Sequence, residues 1–350
     1  MNELPPIQDN SAAWYGPDLA ARPDAWTLHL RSEYIDEVDM AVQTATAKHG
    51  EDLAGISSST FPLPTLGPVL LSLREQLIHG CGFALIRGLP IERNNQREAA
   101  TLFFGIGSHL GHARSQNAAG HILGHVRNVG KASTDTDVRI YQTDERQTFH
   151  TDSADVVALL CIKQSKSGGE SLLVSAETIY NEFLKRRPDL LPRLFDAIAT
   201  DRRGEVPADM KPYFEIPVFS WFGGRLTVMY QRQYIDSAQR FPDGLRLTPE
   251  HVAALDLFDE LANDPALHLI MRLEPGDMQF VYNHALLHDR RGFEDWPDPE
   301  RRRHLLRLWL TVPGDRPLPD YFAQRFGTTT IGDRGGILVP GTSLFAPIDG

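Results

Sequence analysis

The pattern of apolar and polar residues divides the chain into a helical first part and a longer second part made of short strands. Apolar residues recur at helical spacing in residues 33–48 and 69–78, and proline and serine clusters separate these segments. Residues 82–88 form a short apolar run bounded by glycines, which is typical of a buried strand, and a helical pattern follows over about residues 97–109. We therefore expect a helical region up to about residue 80.

From about residue 120 onward, short apolar or alternating runs separated by turn residues predominate. Such a series predicts an antiparallel sandwich or barrel. Two helices interrupt it: one follows Ser175 and ends before Pro188, and the other has Thr248 as N-cap and ends near Asn263. The predicted strands are residues 122–129, 156–162, 171–174, 226–230, 268–273, 278–282 and 305–312.

The chain shows no internal repeat and no linker that splits it, so residues 1–350 are expected to form a single catalytic domain. Its 41% hydrophobic content suffices for a sizeable core. We predict a helical N-terminal part over about residues 1–80 and a strand-rich core with helical inserts over about residues 80–315. Residues 316–350, rich in Gly, Pro and Thr, are predicted to be an extended C-terminal tail over the body.

Charge and composition exclude several classes of partner. A net charge of -11 makes nucleic acid a poor partner, because long-range repulsion would oppose binding. No segment approaches the roughly 18 apolar residues of a membrane span, and the first residues lack the basic and apolar regions of a secretory signal. We expect a cytoplasmic protein without a membrane or nucleic-acid partner. Cys81 and Cys161 lie in or beside apolar runs, as core thiols do.

The candidate chemistry begins in residues 148–153, Thr-Phe-His-Thr-Asp-Ser. In an extended chain His150 and Asp152 point the same way, so both can bind one ion. A strand at residues 276–282 leads to a third candidate, His288, and His284 four residues earlier is the alternative. Two histidines and one carboxylate on one face of an octahedral ion are the arrangement associated with Fe(II) oxygenases.

Arginines alternate with apolar residues near the end of the core. On a strand Arg303, Leu305, Arg307 and Trp309 share one face, opposite His304, Leu306 and Leu308. A buried arginine is costly unless it meets an anion, and a guanidinium can hold a carboxylate through two parallel hydrogen bonds. The pattern therefore suits either an acidic co-substrate or structural Arg-Asp and Arg-Glu pairs.

These residues together resemble the TauD/TfdA family of 2-oxoglutarate dioxygenases, which includes clavaminate-synthase-like members. The resemblance covers roughly residues 80–315, in the family's order and with its long insert between the two metal histidines. The matching pieces are residues 149–152 (Phe-His-Thr-Asp), 167–171 (Ser-Gly-Gly-Glu-Ser), Asn283 with 288–290 (His-Asp-Arg) and Phe293, and 303–307.

The resemblance implies a mainly β fold with flanking helices, built on a double-stranded β-helix, also called a jelly roll or cupin-like core. It implies that His150, Asp152 and His288 bind Fe(II). By the same comparison Arg303 and Ser171 contact the distal carboxylate of 2-oxoglutarate, while Arg307 contacts either the co-substrate or the substrate. The spacing from His288 to Arg303 is longer than in the shortest members, so the choice between Arg303 and Arg307 stays open.

The implied activity is the oxidation of an unactivated carbon of a small molecule by O2, with release of succinate and CO2. Hydroxylation is the first expectation, and desaturation or cyclisation are variants of it. The substrate is expected to be an amino acid or another small acid, contacted by Arg307, Tyr230 or Arg232. Tyr230, Arg232 and Tyr234 alternate on a predicted strand, on which they face either the pocket or solvent. Two alternatives are a metal-dependent hydrolase or isomerase and a non-catalytic binding module. The first would not require the arginines, and the second predicts that a ligand or anchor is missing.

Overall fold

The computed structural model describes residues 4–50, 52–131 and 139–349, and this part of the chain contains 17 strands and eight α-helices. The helices are α1 (Gly16–Ala20), α2 (Ser32–His49), α3 (Leu66–His79), α4 (Gln96–Leu110), α5 (Ala176–Arg186), α6 (Arg232–Ala238), α7 (Pro249–Asn263) and α8 (Ala323–Phe326). The strands are β1 (Thr27–His29), β2 (Phe83–Arg87), β3 (His112–Arg114), β4 (Gly124–Val126), β5 (Gln147–His150), β6 (Val156–Lys163), β7 (Ser167–Gly168), β8 (Ser171–Ser175), β9 (Ile198–Asp201), β10 (Tyr213–Ile216), β11 (Phe219–Phe222), β12 (Arg225–Val228), β13 (Leu269–Met271), β14 (Met278–Tyr282), β15 (Leu286–Arg290), β16 (Phe293–Glu294) and β17 (His304–Thr311).

Two sheets form the jelly-roll core, so the predicted fold class is confirmed. The major sheet has the order β1-β2-β14-β6-β17-β3, and β4 also pairs with β17, at Leu305–Arg307, whereas β3 pairs with it at Trp309–Thr311. The minor sheet has the order β13-β8-β15-β5. All neighbouring strands in these sheets run antiparallel except β1 and β2. Among the residues described, no helix is long and apolar enough to cross a membrane.

The helices cover the outer faces of the two sheets and leave the inner faces for the site. Leu306, Leu308 and Leu310 of β17 enter the core that also contains residues of α2, α3 and α4. Gly107 of α4 permits this close approach, because a Cβ there would lie 2.7 Å from Leu308 Cδ1. Behind the minor sheet, α5 and α7 pack in a second core. The remaining face of β17 is free to present its arginines inward, as the alternation predicts.

The interpretation of residues 230–234 as a strand is wrong, because α6 begins at Arg232. The strand prediction rested on the alternation of Tyr230, Arg232 and Tyr234, in which tyrosine is a residue that favours strands. The helix instead buries Ile235 and Ala238 on one side and carries an ion pair between Arg232 and Asp236, 3.0 Å apart, on the other.

The C-terminal tail is fixed to the body by a fully buried arginine, Arg334. Its Nε donates to Asp155 Oδ1 at 2.7 Å, and its Nη2 donates to Asp315 Oδ2 at 2.7 Å. His284 Nε2 lies 2.8 Å from the same oxygen of Asp155. Beyond this cluster the N–H of Gly336 donates to the carbonyl oxygen of Ser153 at 2.7 Å, so the tail reaches the loop that follows β5.

Replacing Arg334 with Met should lower the free energy of unfolding by about 3 to 5 kcal/mol, because the change leaves two buried carboxylates without their shared cation. Urea unfolding followed by circular dichroism measures this. Arg187→Met is the control, since Arg187 and its partner Asp189 form a solvent-exposed pair that contributes little to stability. Equal losses in the two variants would contradict a structural role for the buried cluster.

The same cluster gives a pH dependence. Burial raises the pKa of Asp155, but the hydrogen bond with His284 and the positive charge of Arg334 lower it more, so the net shift is downward. The stabilisation is therefore present above the unfolded pKa of about 3.9 and is lost as the pH falls below it. The difference in stability between the Arg334→Met variant and the unsubstituted protein should shrink in acid.

Candidate active site

The two predicted metal histidines face each other across neighbouring strands. His150 at the end of β5 pairs in register with His288 of β15, and their ring centroids are 4.1 Å apart. Asp152 follows β5, and its Oδ1 and Oδ2 lie 3.8 Å from His150 Nε2 and 3.6 Å from His288 Nε2. The candidate ligand atoms of all three residues lie within 4.8 Å of one another. This group is called the triad below.

Hydrogen bonds orient the triad before any ion binds. His150 Nδ1 lies 2.8 Å from the carbonyl oxygen of Thr148, so Nδ1 carries the proton, and Nε2 accepts a hydrogen bond from the Gln147 side-chain amide at 2.8 Å, a lone pair that an ion would take over. Trp309 Nε1 donates to Asp152 Oδ2 at 2.9 Å, and the N–H of Asp152 donates to Asn283 Oδ1 at 3.0 Å. The geometry brings two imidazole nitrogens and one carboxylate within reach of a single ion.

The protonation states of the triad suit a cation. Burial, together with the neighbouring His288, lowers the pKa of His150 to about 3, so its imidazole is neutral. Burial raises the pKa of Asp152, but the hydrogen bond with His288 and the charge of Arg307 lower it by more. The net shift of the Asp152 pKa is downward, so the carboxylate is ionised. Neutral imidazole and ionised carboxylate are the forms that bind Fe(II), so the donor set fits this metal.

His284, the alternative third ligand, lies in a different group. It forms a second cluster with Asp155 and Asp315, which also brings its candidate ligand atoms within 4.8 Å of one another. Arg334 already donates to both carboxylates of that cluster. The guanidinium supplies the positive charge that a metal ion would bring, so this cluster is a buried ion-pair network.

A narrow cavity of about 60 Å³ adjoins the triad between the two sheets. Ser171 of β8 and Arg303, directly before β17, both line it. Asp295 Oδ1 accepts a hydrogen bond from the backbone N–H of Arg303 at 2.7 Å, but among the described residues the Arg303 guanidinium forms no ion pair, and its buried Nη1 has no hydrogen-bond partner. Burial lowers the pKa of Arg303 to about 10, so the guanidinium stays charged at neutral pH. A buried guanidinium that forms no ion pair fits a carboxylate of a bound molecule.

Ser171 and Arg290 add polar groups to the same narrow cavity. Ser171 Oγ donates to Gln279 Oε1 at 3.0 Å. The guanidinium of Arg290 lies 4.9 Å from the ring centroid of Phe293, and that of Arg303 lies 5.1 Å from it. Burial and the charge of Arg303 lower the pKa of Arg290 to about 9. Sequence reasoning missed Arg290 as a site residue, although it stands directly after the His288-Asp289 pair.

A wider cavity of about 360 Å³ lies on the other side of the triad. Arg307 lines both cavities; its Nε donates to Gln116 Oε1 at 2.7 Å, and its guanidinium lies 4.5 Å from the ring centroid of Tyr141. The other polar lining residues include Arg139, Arg146, Arg203, Glu205, Gln231, Tyr234 and Arg325.

Two predicted substrate contacts, Tyr230 and Arg232, line neither of the cavities next to the triad. The Tyr230 hydroxyl donates to Asp259 Oδ1 at 2.7 Å, and Arg232 Nη1 donates to Asp259 Oδ2 at 2.9 Å. The helical conformation of α6 directs Arg232 towards acidic residues of α7, and this corrects the strand-based prediction.

A jelly roll that brings two histidines and one carboxylate together beside a cationic cavity is typical of mononuclear non-haem Fe(II) oxygenases. The comparisons with known proteins identify the family. Residues 49–309 match the model of the "Taurine catabolism dioxygenase TauD, TfdA family". The chain belongs to the TauD/TfdA family.

Individual relatives extend this similarity over most of the chain. FR-33289 synthase of Streptomyces rubellomurinus is 37% identical over 298 residues, which cover 84% of this chain and 87% of that protein. The taurine hydroxylase-like protein SAT17 of Stachybotrys chartarum is 30% identical over 327 residues, which cover 87% of this chain and 82% of that protein. The structure of asparagine oxygenase with Fe(II), 2S,3S-3-hydroxyasparagine and succinate superposes with a TM-score of 0.61 at 17% identity, covering 81% of this chain and 93% of that one.

The chain is thus an Fe(II)- and 2-oxoglutarate-dependent dioxygenase, an oxidoreductase that uses O2 to hydroxylate a small molecule and releases succinate and CO2. Family membership excludes the alternatives of a hydrolase, an isomerase or a binding module as its principal function.

Proposed function

We propose that His150, Asp152 and His288 are the iron ligands and that Arg303 and Ser171 hold the distal carboxylate of 2-oxoglutarate. The observation that carries this proposal is the pairing of the triad with a buried, unpartnered guanidinium in one narrow cavity. Arg303 can present two parallel N–H groups to a carboxylate, which a hydroxyl from Ser171 would supplement.

The protein's contribution to the reaction is geometry and exclusion of water. When bound, the iron and 2-oxoglutarate together activate O2 and supply the oxidant that attacks a substrate C–H bond. Trp309 fixes one carboxylate oxygen of Asp152, so that residue is held in one orientation. Arg303 and Arg290 neutralise the acidic co-substrate in a cavity closed by the two sheets. Arg307, between the two cavities, orients the substrate, the co-substrate or both.

The wider cavity is the proposed substrate site, and its arginines favour a small acid. An amino acid is the second candidate, because Glu205 lines the same cavity and could accept an ammonium group. Glu205 already pairs with Arg139 at 3.3 Å, however, which supports an acid without an amine. We also propose that residues 1–350 act as one catalytic domain, since the tail contributes Arg325 and Ile337 to this cavity.

A succinate-release assay with Fe(II), ascorbate and 2-oxoglutarate tests the proposal against a panel of small acids and amines. We expect release to rise above the substrate-free rate with acids and to depend on all three additions. Stimulation by amines alone would contradict the assignment of the wider cavity to an acidic substrate.

The oxygenated product should contain one oxygen atom from O2 and no chlorine. Asp152 supplies one negative charge and occupies a position at the iron, whereas an Ala or Gly there would leave room for chloride. The product is formed under isotopically labelled O2 with chloride in the buffer. Mass spectrometry then shows whether it contains the labelled oxygen atom and whether it contains chlorine. A chlorinated product from the unsubstituted protein would contradict the assignment of Asp152 as an iron ligand.

A further inference from the structure

Three arginines of the wider cavity have no carboxylate partner. In the described part of the chain, Arg203, Arg307 and Arg325 make no ion pair within 4 Å, although all three line this cavity. The other two arginines of its wall are paired, Arg139 with Glu205 and Arg146 with Asp289. Guanidinium groups that line one partly enclosed space without forming ion pairs favour an anionic occupant.

Arg325 comes from the C-terminal tail and is held in place from two sides. Its Nε donates to Ser153 Oγ at 2.6 Å, and its guanidinium lies 5.5 Å from the ring centroid of Phe214. The tail itself is fixed next to it, because the N–H of Gly335 donates to the carbonyl oxygen of Phe326 at 2.9 Å. Nε of Arg325 is therefore bonded within the protein, whereas Nη1 and Nη2 have no hydrogen-bond partner among the described residues.

Arg203 is held at the cavity by an unusual backbone conformation. Its φ of 55° lies in the left-handed region, which a residue other than glycine adopts at a cost and which often marks functional positions. Its guanidinium lies 5.6 Å from the ring centroid of Tyr234, and its carbonyl oxygen accepts a hydrogen bond from Arg139 Nη2 at 3.1 Å. These contacts position the cation without neutralising it.

The number of cations bears on the kind of anion. The wall carries five arginines against three carboxylates, Glu145, Asp152 and Glu205, and Asp152 belongs to the triad. A carboxylate offers one charge and two oxygen atoms in a plane, too few for three guanidinium forks. A tetrahedral phosphorus anion offers three terminal oxygens and close to two charges at neutral pH.

We infer that Arg203, Arg307 and Arg325 form a subsite for a phosphate-type dianion on the substrate, either a phosphate monoester or a phosphonate. The inference rests on the proposed function, because the subsite serves the reaction only if the triad next to it holds the iron. The bound dianion would fix one end of the substrate in the wide cavity and leave its carbon portion to extend towards the triad. The tail would thereby take part in substrate selection.

Anaerobic titration calorimetry tests the subsite directly. The protein is loaded with Fe(II) and 2-oxoglutarate and titrated with phenyl phosphate, phenylphosphonate and benzoate, which share one ring and differ in the anion. At about pH 8 the phosphate is a dianion, since its second pKa is about 6. We expect both phosphorus compounds to bind at least about tenfold more tightly than benzoate. The tighter of the two identifies which linkage the substrate carries.

Arg325→Gln and Arg203→Gln should each weaken binding of the phosphorus compounds by about 10- to 100-fold, as loss of a charged hydrogen bond does. Arg325→Lys keeps the charge without the fork and should weaken it less, and it replaces Arg325→Gln if that variant does not fold. Arg232→Gln is the matched control, because Arg232 lies on α6 but outside the cavity. Its affinity should match that of the unsubstituted protein.

Two results would overturn the inference: benzoate binding as tightly as the phosphorus compounds, or unchanged affinity in the Arg325 and Arg203 variants. Binding of 2-oxoglutarate is measured first on each sample, because it distinguishes a failure of the phosphate subsite from a failure of the proposed function. If 2-oxoglutarate binds and the phosphorus compounds do not, only the subsite is wrong. If the phosphorus compounds bind and 2-oxoglutarate does not, the proposed function is wrong.

Discussion

Replacing His288 with Ala should abolish Fe(II) binding and turnover while leaving the fold largely intact. Mutation of a residue that only hydrogen-bonds a metal ligand typically lowers metal affinity by about 10- to 100-fold. The loss of Fe(II) affinity in His288→Ala should be larger, because the substitution removes a coordinating atom itself. His288 lies on the cavity side of β15, and its Nδ1 has no hydrogen-bond partner among the described residues, so the substitution removes few structural contacts. Equilibrium dialysis with Fe(II) under anaerobic conditions and the succinate assay measure the two effects.

His284→Ala is the matched control for this experiment. His284 is a buried histidine of the same region, yet its Nε2 bonds Asp155 and not the triad. Its loss should lower the free energy of unfolding by about 1 to 3 kcal/mol and leave Fe(II) affinity unchanged. If His284→Ala lost iron while His288→Ala retained it, the third ligand would have been assigned to the wrong histidine.

Replacing Arg303 with Ala should raise the concentration of 2-oxoglutarate needed for turnover by more than about a hundredfold. The expected cost is about 3 to 5 kcal/mol, because one partner of a buried, charged hydrogen-bonded pair is removed. Arg303→Lys should recover only part of the loss, since an ammonium cannot reproduce the two-pronged contact. The KM for 2-oxoglutarate in the succinate assay is the measurement.

Arg307 and Arg290 also border the same cavity, so they serve as comparisons for Arg303. Arg307 also lines the wider cavity, and Arg307→Ala should therefore raise the KM for the substrate more than that for 2-oxoglutarate. An unchanged KM for 2-oxoglutarate in Arg303→Ala would move the carboxylate anchor to Arg307 or Arg290. The variant of Arg303, Arg307 or Arg290 that raises the KM for 2-oxoglutarate most identifies the arginine that holds its carboxylate.

Strong periodicity made the main elements of the fold predictable from the sequence. The helical pattern of residues 97–109 corresponds to α4, and the alternation after Arg303 corresponds to β17. The helix at residues 232–238 was not predicted, because the alternation of Tyr230, Arg232 and Tyr234 imitates a strand. The i,i+4 ion pair between Arg232 and Asp236 and the burial of Ile235 and Ala238 stabilise the helix instead.

The candidate site was predictable only in part, since its residues come from strands and loops far apart in the chain. His150 and Asp152 follow from their spacing, but the choice of His288 over His284 needed the family resemblance. Arg203 and Arg325 carry no local signal, because an arginine in a polar loop usually faces solvent. Their convergence on one cavity depends on the path of the tail, which Arg334 fixes through contacts with Asp155 and Asp315.

The location of bound iron tests the central claim most directly. Crystals grown without O2 in the presence of Fe(II) and 2-oxoglutarate can be measured at the iron absorption edge, where the anomalous signal marks the metal alone. We predict one peak between His150 Nε2, His288 Nε2 and the carboxylate of Asp152. A peak at the cluster of Asp155, His284 and Asp315, or none at the triad, would contradict the account.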